Sequence, residues 1–171
     1  DYMQRQGGSD SDPRTWLPDG SGGAVYLRLS TRPVEQALCS RDAAFRQGVT
    51  DGAYWLRQPG PNAEVVIVYQ GAVAPAAIEA AGRIGNDRRD IGVLAVTPAD
   101  RLHAGWAAAG RARAQGIETA RAHAERLLEG LPAHCLLITV LDGHPATLSW
   151  IGGVAGHRVA ALGVDGFGQT G

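Results

Sequence analysis

The chain has 171 residues, of which 44% are hydrophobic and 19% charged, enough apolar content for a globular domain with a real core. A formal net charge of −1 gives no electrostatic case for binding nucleic acid or a membrane surface. All 16 basic residues are Arg, and without Lys the chain has neither a Schiff-base amine nor a phosphate-loop lysine.

Residues 1–6 read as the end of a helix, and 7–23, GGSDSDPRTWLPDGSGG, have the Gly, Ser, Asp and Pro clustering of a loop. AVYLRLSTRP then alternates Val25, Leu27 and Leu29 against Tyr26, Arg28 and Ser30, a period of two that predicts a strand ending at Pro33. Residues 34–51 read as a connector. GAYWLRQ (52–58) is a short strand, and EVVIVYQG (64–71) is a continuous β-branched run, as expected of a strand covered on both faces. AVAPAAIEAAGRI follows as an Ala-rich helix with Pro75 in its first turn, where the missing N–H costs nothing.

IGVLAVT (91–97) is the next strand. PADRLHAGWAAAGRARAQG supplies a turn and a helix, and TARAHAERLLEGL (119–131) another helix. HCLLITVL (134–141) is a strand, 145–155 a helix, and HRVAALGV (157–164) a last strand. Strands alternating with helices imply a mostly parallel sheet in three layers. No apolar stretch is long enough for a membrane span, and no secretory leader is expected. Cys39 and Cys135 lie far apart in unlike surroundings, which favours reduced thiols and a cytoplasmic setting.

The chemistry-bearing residues gather where the apolar strand LLITVL runs into Asp142-Gly143-His144-Pro145. Ligands of open α/β sheets bind outside the carboxyl ends of strands, so His144 could act as a base or ligand tuned by a helix N-terminus. The plainer reading, and the favoured one, is that Asp142 to His144 make a tight turn, with Pro145 opening the helix at its preferred position. The local hydroxyls are Thr147 and Ser149, and no Gly-x-Ser-x-Gly nucleophile elbow occurs. The five histidines fit no zinc spacing. Gly152 and Gly153 follow Trp150 where a helix should continue, each costing about 1 kcal/mol relative to Ala, which points to close packing or a helix end.

The order and texture of 52–171 resemble the C-terminal domain of the transketolase-like thiamine diphosphate enzymes. EVVIVYQGAVAPAAIEAA resembles that family's first parallel strand, Gly turn and small-residue helix. LLITVLDGHPATLSWIGGVAG resembles its strand ending in an acidic residue before a Gly-rich helix. VAALGVDGFGQTG, with Gly163, Phe167 and Thr170-Gly171, resembles its closing strand and turn, and LGVDGFGQTG is most similar to the homodimeric type of pyruvate dehydrogenase decarboxylating subunit.

The resemblance implies a three-layer α/β/α sandwich whose mixed five-stranded sheet has its first strand antiparallel. It makes 1–50 the tail of a pyrimidine-binding domain and 51–171 a C-terminal domain truncated at its end. The catalytic glutamate and the Gly-Asp-Gly metal motif of the family have no counterpart here, so thiamine diphosphate and Mg belong to the parent enzyme and no cofactor or metal is expected on this stretch. The implied partners are the upstream diphosphate- and pyrimidine-binding domains, a second copy in a homodimer, and the acyltransferase core of a dehydrogenase complex.

Asp142, His144, Trp150, Gly152 and Gly153 become candidate turn or interface residues, and none a catalytic residue. Arg32 is a candidate contact at the substrate edge, as a phosphosugar enzyme would need. A transketolase or a deoxyxylulose phosphate synthase is the alternative parent. A stand-alone α/β interaction module is the second alternative.

Overall fold

The computed structural model describes residue 33 and residues 42–166. Arg32, the loop at 7–23, the strand-like stretch before Pro33, Cys39 and the closing residues 167–171 lie outside them.

Five strands form one sheet: β1 (Ala53–Arg57), β2 (Val65–Gln70), β3 (Gly92–Val96), β4 (Leu136–Leu141) and β5 (Arg158–Leu162). Their order is β1-β3-β2-β4-β5, with β1 antiparallel to β3 and every other pair parallel. All five fall within the stretches read as strands in the sequence, and the antiparallel first strand is the one the resemblance implied. The helices are α1 (Ala43–Asp51), α2 (Ala74–Asp87), α3 (Ala99–Ala114), α4 (His123–Leu128), α5 (Ala146–Ser149) and α6 (Gly152–Ala155).

Helix α1 lies in the stretch read as a connector. It is only nine residues long, and what starts it is Asp42, whose carboxylate accepts from Phe45 N at 2.8 Å. Its breaker-like Gly48 is buried against Tyr54. Conversely, α4 begins four residues later than expected. Residues 119–122 are held as a turn by Ala120 N to Ile117 O (3.1 Å) and by Arg113 Nη1 donating to Ala120 O (2.7 Å). The expected helix at 145–155 is two short turns, joined through Trp150 and Ile151 in helical dihedrals and tightened by Ile151 N to Leu148 O and Gly153 N to Trp150 O.

Two apolar clusters sandwich the sheet. On one face Val66, Val68, Leu94 and Leu137 pack under Leu102 of α3, Leu128 of α4 and the α5–α6 segment. On the other, Ile67, Tyr69, Val93 and Ala95 pack under Ala77 and Ala81 of α2. Among the described residues the second cover is narrower: α2 stands over β2 and β3, while Leu136, Ile138 and Val140 of β4 are only half-buried and Leu162 of β5 is 53% exposed.

Within the first cluster's face, Thr139 is fully buried and its hydroxyl meets no hydrogen-bonding partner. An unmet buried hydroxyl costs roughly 1–3 kcal/mol. The near-isosteric Thr139→Val should therefore raise stability by about 1 kcal/mol, measured by urea unfolding. A loss of stability would mean that the hydroxyl is satisfied in solution.

Candidate functional site

The parallel strands place one natural crevice. The exit of β2 leads to α2 on one face and the exit of β4 leads to α5 on the other, so the two loops, Gly71–Val73 and residues 142–145, flank a topological switch point. The carboxyl edge around it is tied together by short polar contacts. Gln70 Nε2 donates to Thr97 O at 3.1 Å, and Thr97 Oγ1 donates to Val49 O at 2.8 Å. Beside β4, Val164 N donates to Gly143 O at 2.8 Å, folding the chain after β5 back over the Asp142 turn.

Asp142 and His144 are both exposed on that turn. His144 Nδ1 accepts from Ala146 N at 3.2 Å and its carbonyl accepts from Thr147 N at 3.0 Å, so the side chain caps the turn that Pro145 opens. That bond occupies the ring nitrogen facing the backbone. Neither Thr147 nor Ser149 donates its hydroxyl to the imidazole among the described hydrogen bonds, so the arrangement has no activated nucleophile of the Ser–His type.

Trp150 lies one and a half turns on. Its indole stacks on Trp106 of α3, centroids 5.5 Å apart and planes 22° apart, and Nε1 donates to Thr147 O at 2.9 Å. His103, one turn before Trp106, sets its ring edge-on to Trp150 at 4.9 Å. Gly153 is exposed beside Trp106, whereas Gly152 is buried, facing His157 O and the Val159 side chain. The three rings seal the seam between α3 and the α5–α6 segment. Thus Trp150, Gly152 and Gly153 gather at one helix seam, and Asp142 and His144 stay at the sheet edge.

Sequence reasoning missed His103 and Trp106. Their three-residue spacing on one helix face was the available signal, but nothing local ties it to Trp150. It also missed a two-pronged ion pair between α3 and α4. Arg113 meets Glu125 through both guanidinium nitrogens, at 2.7 and 3.1 Å, and Glu125 accepts from Ala122 N at 2.7 Å. Burial pushes the Glu125 carboxyl upward, but the Ala122 amide and the Arg113 guanidinium together outweigh it and hold the group below its ordinary value. Burial pushes the free thiol of Cys135 up, which makes it a weak nucleophile. Among the described residues no three His, Cys, Asp or Glu side chains gather as a metal site, and no helix is long and apolar enough to cross a membrane.

No protein-family model matches the chain, and no curated protein matches it. Among solved structures, it is similar to a mutant transketolase from Pichia stipitis in complex with fructose 6-phosphate, with 19% identity and a TM-score of 0.45. The similarity covers 73% of this chain and 15% of that one, so this chain spans a small part of that protein's length.

Proposed function

We propose that this chain carries the C-terminal, structural domain of a transketolase-like thiamine diphosphate enzyme, and that the parent is a homodimeric, cytoplasmic pyruvate dehydrogenase-type decarboxylating subunit. The observation that carries the packing role is the half-covered apolar strip over β4 and β5, where, among the described residues, no helix stands over Leu136, Ile138, Val140 and Leu162 as α2 stands over β2 and β3. Apolar side chains left part-exposed beside one another in this way favour contact with further protein. The resemblance of the strand, turn and helix motifs in 52–171 supports the choice of parent. In this reading Asp142, His144 and Trp150 shape the edge that meets neighbouring domains or the second subunit. Thiamine diphosphate and Mg are held by the upstream domains, and the acyltransferase core of a dehydrogenase complex is a further partner of the parent.

The test is calorimetric titration of thiamine diphosphate with Mg²⁺ into this chain, with sedimentation of the same sample. The expected result is no saturable heat, from a monomer or a weak dimer. Micromolar cofactor binding would overturn the reading and return His144 to the list of ligands.

A further inference from the structure

A cleft of about 420 Å³ lies beside Trp55 of β1, between the 58–61 turn and α4 with its following residues. Its size suits a small organic ligand rather than a water cluster, since ligand pockets run from roughly 300 to 1,000 Å³. The floor is Trp55, whose six-membered ring rests over Gly92: a methyl group at that position would meet Trp55 Cζ3 at 3.0 Å and Pro59 Cβ at 2.9 Å. The walls are Pro59, Leu127 and Leu131, all half-buried.

The frame is held from both sides. Gly60 N donates to Asp90 O at 2.9 Å and Ala63 N to Gly60 O at 3.2 Å, which fixes the turn. His123, at the other end, bonds Ala53 O through Nε2 at 2.7 Å and so ties α4 to β1.

The polar groups on the rim are unequal. The Glu129 carboxylate is taken by Arg121 at 2.9 Å. Arg126 is exposed and donates through Nη1 to Arg121 O at 3.0 Å, which leaves further donors of a planar, permanently charged fork at the mouth of an aromatic-floored cleft.

We propose that this cleft is a binding site for a small aromatic monoanion, whose ring lies on Trp55 between Pro59 and Leu127 and whose carboxylate meets Arg126. A flat ring gains from stacking and apolar contact on the floor, and a carboxylate matches the guanidinium fork. The site lies away from the Asp142 edge and from the apolar strip on β4 and β5, so it is independent of the role proposed above.

Indole acetate and its uncharged analogue indole acetamide are the probes, titrated into the isotopically labelled chain and followed by amide and indole N–H chemical shifts. Saturable, submillimolar binding of the acetate is expected, with shifts confined to the Trp55 indole, 58–61 and 126–131. The acetamide should bind about fivefold more weakly, as befits one solvent-exposed ion pair. Arg126→Gln, a change at an exposed position that leaves the core untouched, should bring the acetate down to the acetamide's affinity and leave the acetamide unchanged. Shifts that fail to saturate, that map to β4 and β5, or that are equal for acid and amide would each overturn the proposal.

Discussion

Replacing Gly152 with alanine should cost the domain roughly 2 kcal/mol and lower its melting temperature by about 5–10 °C, while the same change at neighbouring Gly153 should stabilise it by about 0.5–1 kcal/mol. Both positions are helical, so propensity alone predicts a gain at each. What separates them is the space beside the Cα. A methyl group on Gly152 would press to 2.7 Å from the carbonyl oxygen of His157 and overlap the Val159 side chain. The oxygen cannot swing away, because the same turn is closed by His157 N donating to Gly152 O at 3.0 Å and leads directly into β5. On Gly153 the methyl would reach Trp106 Cη2 at 3.6 Å, an ordinary contact. Thermal unfolding of the two single variants decides the matter. Equal stabilisation by both would mean that the α6–β5 turn is looser than its geometry indicates.

Arg113→Ala is the second large effect, expected at about 2 kcal/mol. Removing one partner of a buried ion pair costs about 3–5 kcal/mol, and this pair earns less because the Arg113 side chain is 35% exposed against 14% for Glu125. The loss has two parts, a carboxylate left half-desolvated and the freed Ala120 carbonyl that kept residues 119–122 as a turn.

The pH dependence follows from the sign of the Glu125 shift. Its folded value lies below the ordinary 4.5, so the ionised form is favoured by folding. The stabilisation is fully present above that ordinary value and disappears as pH falls through the lower folded value. The stability difference between the native chain and Glu125→Gln should thus be constant near neutrality and shrink below about pH 4.5, which urea unfolding over that range would record. A difference that grows on acidification would mean that the carboxyl is protonated in the folded domain.

The central strands were legible because burial on two faces demands unbroken apolar runs, as in VVIVYQ and GVLAV, and LLITVL has the same texture although one of its faces is only half-buried. Helix α1 was not, since nine residues with an internal glycine carry too short a period, and its start depends on one side-chain bond from Asp42. The late start of α4 was hidden for a related reason: TARAHAERLLEGL has good helix formers throughout, and the backbone of 119–122 is claimed instead by an arginine on another helix.

The candidate site divides in the same way. By itself the sequence determined the sheet, its layers and the position of the Asp142 turn at a strand's carboxyl end, because these follow from hydrophobic period and from turn chemistry acting over a few residues. Only the tertiary structure decided that Trp150 stacks on Trp106, that Gly152 and not Gly153 needs its missing side chain, and that Trp55 and Arg126 share one cleft. Each of these depends on atoms brought together across tens of residues by the burial of the whole core, and no local pattern encodes such a meeting.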